Sequence, residues 1–302
     1  MKNTSVKELK LPRPLAFVFG GGAARAAAQV GMLGGIQDSG LAPDFVVGSS
    51  TGAINGAIFA VHPITAVDRL EAIWRAIAAD TSLTSTWRSA VRGVAGSQSA
   101  RTVAMFSGHL AAAIGTRSFT DLTLPLTLIA TDLSSGQATN LNSGPVMDAV
   151  LASSAFPVMM PPRVYGHKIL TDGSVVAGAP VAQAVALGAK SLVLFDTGAS
   201  SVPESQVEDI GWYAVMALAF THLVRGQAAH DLAEVAREVP VIVVSADHGS
   251  PIDLKGAPNL FAGGREAAQS SLSAYTGHIT KPGIYGTPAG LSADERITPL
   301  LR

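Results

Sequence analysis

The chain has 302 residues, enough for one large domain or two small ones. It is 48% hydrophobic and 14% charged, with a net charge of −1, a balance that supports a large buried core and gives no footprint for nucleic acid. Cysteine is absent, which excludes a disulfide framework, a thiolate nucleophile and cysteine-based metal sites.

Residues 1–13 read as a polar lead-in. Lys2, Lys7, Lys10 and Arg13 precede the apolar run Leu15–Phe19, imitating a cleavable leader. Glu8 and Pro14 break that pattern and glycines follow at once, so the run is predicted to be a buried strand feeding the tight loop Gly20-Gly21-Gly22. The alanine-rich stretch 24–38 predicts a helix with a glycine stop at Gly40. A strand over 44–47 runs into Gly48-Ser49-Ser50-Thr51-Gly52, and a helix is expected over 53–60. Strand, helix, strand, helix is the order of a parallel sheet with helices on its faces.

Residues 66–79 continue as helix, with Trp74 in the core. Residues 81–120 hold Arg88, Arg92, Arg101 and Arg117 and no acidic residue, with helical apolar spacing over 103–110. Strands are expected over 126–131 and, after the Ser134-Ser135-Gly136 turn, over 137–141. A short helix over 146–152 enters the apolar loop 156–162. The strand-like segment 168–170 precedes Asp172-Gly173, and 181–186 is helical. The β-forming runs 192–195 and 241–244 predict central strands. The helical zone between them, 212–237, contains the longest apolar run; His222 interrupts it well short of the roughly 18 to 20 residues that cross a bilayer. The tail from about 281 is rich in Pro and Gly. With no internal repeat and no linker, a single domain over 1–302 is expected.

Three features carry chemistry. Gly48-x-Ser50-x-Gly52 between a strand and a helix exposes a serine on a turn that needs small neighbours. The helix that follows directs unpaired N–H groups and its dipole at the reacting centre. The same pattern is open to reading as a helix cap made by Ser49 or Ser50. The glycine loop lets backbone N–H groups approach a developing oxyanion closely; Arg25 stands where a dinucleotide fingerprint needs its last glycine, so that reading fails. Asp172, taken alone, is one Asp-Gly turn among several, although a buried carboxylate can serve as base. Ser50–Asp196–His248, each just after a predicted strand, is a triad that spacing leaves open.

The order of motifs resembles the patatin-like phospholipase family. Phe19-Gly-Gly-Gly-Ala-Ala-Arg25 through Leu33 is similar to its glycine-rich loop and following helix, and Val47-Gly-Ser-Ser50-Thr-Gly52 through Gly56 to its nucleophile motif. Thr131-Asp-Leu-Ser-Ser-Gly136, Ala152-Ser-Ser-Ala-Phe-Pro157 and Asp172-Gly-Ser-Val-Val176 follow in the family's order. The resemblance covers about 14–200; 201–302 carries no transferable motif. It implies a three-layer α/β/α sandwich with a mainly parallel sheet and a histidine-free dyad, Ser50 as nucleophile and Asp172 as base. It also implies an oxyanion hole of Gly21, Gly22 and Ala23 N–H groups braced by Arg25, with Gly48 and Gly52 shaping the elbow. Ala23, Ala26, Thr51 and Ser174 depart from residues common in the family, which bears on rate and substrate size.

The implied activity is hydrolysis of fatty-acyl esters, with no metal and no cofactor, in a cytoplasmic protein with peripheral membrane contact as a further expectation. The arginine stretch 88–117 is open to meeting anionic head groups or to being solvated. His230 and Asp231 read as a polar helix face. A small-ester hydrolase using the His248 triad and a non-catalytic lipid-binding scaffold are the alternatives; oligomeric state is left open.

Overall fold

The computed structural model describes residues 9–91, 99–157, 159–198, 212–246, 249–250 and 253–286. Nine strands form one sheet: β1 (Leu15–Phe19), β2 (Phe45–Ser49), β3 (Leu126–Asp132), β4 (Ala138–Leu141), β5 (Arg163–Tyr165), β6 (Lys168–Thr171), β7 (Ser191–Asp196), β8 (Pro240–Ser245) and β9 (Gly283–Gly286). Their order is β5-β6-β3-β2-β1-β7-β8-β9, with β4 also on β3. The six strands β3-β2-β1-β7-β8-β9 are mutually parallel. The chain builds outward from β1 to β3 on one side, then returns to β7 and builds outward to β9 on the other. The order therefore reverses between β1 and β7, the kind of switch point at whose carboxyl ends open α/β sheets bind ligands.

Alternation along each strand divides the core. Phe17, Phe19, Phe195, Ile242 and Val244 point to one face, where α1 (Ala28–Asp38), α2 (Thr51–Val61), α3 (Ala66–Ala79), α4 (Thr81–Val91), α5 (Ser99–Ile114) and α6 (Val146–Ser153) lie with α10 (Leu260–Ser273). Ala16, Val18, Val47, Leu194 and Val243 point to the other, covered by α7 (Ser174–Ala177), α8 (Val181–Ala186) and α9 (Trp212–Val235). This is the expected three-layer α/β/α sandwich. Phe19 and Phe195 stack at 4.3 Å between centroids, fastening β1 to β7 at that switch point.

Several elements went unread in the sequence. Helix α10 packs so closely on α1 that a Cβ on Gly31 would stand 1.8 Å from the Phe261 carbonyl oxygen, and one on Gly264 would stand 2.0 Å from that of Ala28. Glycine weakens a helix on its own, so this pairing is visible only once the two helices meet. Strand β9 adds a parallel edge from within the Pro/Gly-rich tail, and β5 pairs with β6 as a hairpin. The antiparallel β6 joins β3 at Thr131 and Asp132, which carries Asp172 back toward the end of β2.

Arg117 donates to the Ala113 and Ile114 carbonyls at the end of α5, so it caps that helix. Arg92, the lead-in up to residue 8, Val158, His248 and the tail from 287 lie outside the described residues. No helix among the described residues is long and apolar enough to cross a membrane.

Candidate active site

Ser50 is the hinge between β2 and α2. Its backbone sits at φ 56°, ψ −132°, a conformation that costs a non-glycine residue about 1–3 kcal/mol and is held only by its surroundings. Those surroundings are specific. The Ser50 N–H donates to Ser153 Oγ (3.1 Å), whose hydroxyl donates in turn to the Ile129 carbonyl (2.6 Å). Ser154 Oγ donates to the Ser50 carbonyl at 3.0 Å. Two consecutive serines at the end of α6 thus grip both backbone polar groups of Ser50. The flanking glycines leave no room for substitution: a Cβ on Gly52 would lie 2.2 Å from the Phe19 carbonyl oxygen, and one on Gly48 would lie 2.8 Å from that of Gly52.

The Ser50 side chain donates to Asp172 Oδ2 at 2.8 Å. Asp172 is fully buried, and its other oxygen accepts from the Ser174 N–H (2.8 Å) and Ser174 Oγ (2.6 Å). Burial pushes the Asp172 carboxyl up to about 6, against the opposing pull of the Ser174 hydroxyl, the Ser174 amide and Ser50. A carboxylate held by three donors and still raised in proton affinity is suited to take a proton near neutrality. Its backbone is fixed as well, since Thr131 Oγ1 donates to the Asp172 carbonyl (2.7 Å) and Asp172 N–H donates to that of Ala155 (3.1 Å).

The glycine loop leaves β1 beside Ser50, close enough that a Cβ on Gly21 would fall 2.9 Å from Ser50 Cβ. Its three amides are not equivalent. Gly21 N–H donates to the Gly178 carbonyl at 2.8 Å, whereas Gly22 N–H donates to Thr51 Oγ1 at 3.2 Å. Ala23, at φ 51°, opens a 3-10 turn over Ala23–Ala27, so its N–H has no acceptor within that turn. Thr197 Oγ1 donates to the Gly21 carbonyl (2.8 Å). The buried Arg25 donates to the Gly198 carbonyl at 3.0 Å, and Arg225 of α9 donates to the same oxygen. Arg25 therefore ties the loop to the end of β7.

A buried polar chain supports the loop from behind. Trp74 Nε1 donates to Asn55 Oδ1 (3.1 Å), and Asn55 Nδ2 donates to Gln29 Oε1 and the Ala26 carbonyl (both 2.8 Å). Gln29 Nε2 donates to the carbonyls of Gly20 (2.7 Å) and Phe195 (3.0 Å). Asn55→Leu strips partners from several buried groups at once, at about 1–3 kcal/mol for each. It is expected to destabilise the fold by about 3 kcal/mol or more in denaturant unfolding; a loss below about 1 kcal/mol would show that the chain shares no load.

Sequence reasoning placed Ser50, Asp172, the glycine loop and Arg25 around one centre, and the geometry brings them together. It assigned no role to Ser153, Ser154, Gln29 or Asn55. Ser153 and Ser154 lay inside a recognised motif, but one serine hydroxyl reads like another until the partner is known. Asp196 stands two strands from Ser50, about 10 Å by strand spacing, and its Oδ2 accepts from Ser245 Oγ at 2.6 Å. The apolar loop after α6 turns its chain inward: Met159 and Met160 are buried, while Phe156 meets the Phe220 ring of α9 edge-on at 5.5 Å.

The patatin-like phospholipase profile matches residues 17–185, more than half of the chain, a span that includes the glycine loop, Ser50, Ser153, Ser154 and Asp172. The chain belongs to the patatin-like phospholipase family. Patatin-like phospholipase domain-containing protein 7 of Rattus norvegicus is 31% identical over 193 residues, covering 61% of this chain and 14% of that protein. The domain-containing protein ZK370.4 of Caenorhabditis elegans is 30% identical over 200 residues (65% and 14%), and lysophospholipase NTE1 of Coccidioides immitis 28% over 187 (62% and 12%). The chain thus spans about one seventh of these family relatives. VipD from Legionella pneumophila overlays with a TM-score of 0.40 at 11% identity, covering 87% of this chain and 66% of that one.

Proposed function

We propose that this family member is a lipid acyl hydrolase in which Ser50 and Asp172 form the catalytic dyad. The observation that carries the reading is the 2.8 Å hydrogen bond from Ser50 Oγ to a fully buried carboxylate with a pKa near 6. As Ser50 attacks the ester carbonyl, Asp172 takes the hydroxyl proton and the carbonyl π pair moves onto oxygen. The oxyanion is met by N–H groups of the glycine loop and of the first turn of α2. Collapse expels the alcohol or lysolipid, which receives the proton from Asp172 and leaves Ser50 acylated. Water then attacks the acyl-enzyme, with Asp172 again the base, and releases the fatty acid. With Gly21 N–H committed to the Gly178 carbonyl and Gly22 N–H to Thr51 Oγ1, the loop amide with no acceptor in its own turn is that of Ala23. The names of the relatives, phospholipase and lysophospholipase, support a glycerophospholipid or lysophospholipid as the ester.

The test is a fluorophosphonate probe followed by mass spectrometry, with hydrolysis of lysophosphatidylcholine, phosphatidylcholine and p-nitrophenyl esters of increasing chain length. The expected result is a single adduct on Ser50 and turnover that rises with chain length. No adduct and no turnover would leave a lipid-binding scaffold as the function.

A further inference from the structure

Gly21 N–H is lost to the reaction because it is bonded to Gly178, and the neighbouring Gly22 N–H already has a side-chain acceptor, Thr51 Oγ1, at 3.2 Å. Thr51 is the residue after Ser50 and the first of α2, and it is partly exposed. Gly22 caps the 3-10 turn without any side chain of its own, so the threonine hydroxyl meets a donor that is otherwise orphaned at that end. A hydroxyl has two lone pairs and one proton to give. With Gly22 N–H on a lone pair, the Thr51 O–H is polarised into a stronger donor. The loop stands against Ser50, where a Cβ on Gly21 would fall 2.9 Å from Ser50 Cβ, so the hydroxyl bonded to Gly22 lies beside the reacting serine.

On the reading that Ser50 is the nucleophile, we propose that the Thr51 hydroxyl is an oxyanion donor of this site. Held by Gly22 N–H, it supplies the hydrogen bond that Gly21 forfeits to Gly178. Thr51 is then a catalytic residue through its side chain as well as a residue of the α2 first turn.

The experiment compares wild type with Thr51→Val, which keeps the shape and loses the hydroxyl, Thr51→Ala, and Thr51→Ser, which keeps the hydroxyl. Readouts are kcat and KM on p-nitrophenyl butyrate, the inhibition constant of phenylboronic acid as a tetrahedral mimic, and the thermal midpoint. Removing one oxyanion donor lowers kcat by about a hundred- to a thousand-fold. The valine and alanine variants are expected to lose about that much in kcat, with KM within about twofold and boronate affinity falling in parallel, while serine recovers most of the rate. Wild-type kcat in Thr51→Val or Thr51→Ala, a loss confined to KM, or a serine variant as poor as valine would overturn the proposal. Ser50→Ala separates the two readings. If it is inactive while Thr51→Val is not, only the Thr51 role fails; if it retains turnover, the dyad itself is wrong.

Discussion

Asp172→Asn is expected to lose about 10⁴-fold or more in kcat, with Ser50→Ala at least as poor and His248→Ala within a few-fold of wild type. The asparagine has the shape of the aspartate and keeps an oxygen for the two Ser174 donors. Toward Ser50 Oγ it presents an N–H where the carboxylate offers a lone pair, so the serine proton has nowhere to go. The loss therefore reports proton transfer rather than collapse of the site, and circular dichroism should show an intact fold. Retained turnover in Asp172→Asn together with loss in His248→Ala would return the mechanism to the Ser50–Asp196–His248 triad. The dyad is supported by the 2.8 Å bond that Ser50 Oγ already makes to Asp172.

The Asp172 carboxyl ties both activity and stability to pH. The base works only when ionised, so kcat/KM should rise tenfold per unit as pH climbs toward about 6 and level off above it. A profile flat from pH 5 to 8 would remove Asp172 from the role of base. Folding feels the opposite sign. In the unfolded chain the carboxyl titrates near its ordinary value of 3.8, while in the fold it titrates near 6. Between these values the folded state holds the proton and the unfolded state releases it, so stability falls as pH rises and then levels off. At roughly 1.4 kcal/mol per unit, the ionised Asp172 costs the fold about 3 kcal/mol at pH 8. Asp172→Asn carries no such charge. It should unfold at a temperature several degrees above wild type at pH 8, and that advantage should vanish near pH 4. An asparagine variant less stable than wild type at pH 8 would show that the buried charge is fully compensated by Ser174 and Ser50.

Together these outcomes describe a site that stores free energy in two places. Ser50 is held in a left-handed backbone conformation by Ser153 and Ser154, and Asp172 is held charged in an apolar interior by Ser174. On the proposed reading each strain has a chemical use: the first exposes Ser50 for attack, the second raises the proton affinity of Asp172 beside it.

The helix-covered parallel sheet and the small-residue turn that carries Ser50 were legible in the amino-acid sequence because each rests on local pattern. Short apolar runs that end in glycine read as buried strands, and G-x-S-x-G at a strand-to-helix junction reads as a turn exposing its serine, although a helix cap by Ser49 or Ser50 fits the same letters. What tertiary structure decided is every pairing that joins residues far apart in the chain. By local pattern Asp172 was one Asp-Gly turn among several, singled out by the family resemblance alone, and it is the antiparallel β6 that carries it beside the end of β2. Ser153, Ser154, Gln29 and Asn55 have no periodic signature, since a buried polar side chain is chosen by the one partner it must satisfy. Helix α10 was hidden because its contact with α1 depends on glycines that local propensity counts against a helix. The division of the glycine loop, with Gly21 turned to Gly178 and Gly22 to Thr51, is set by which carbonyl or hydroxyl happens to stand opposite, and that is a property of the folded chain alone.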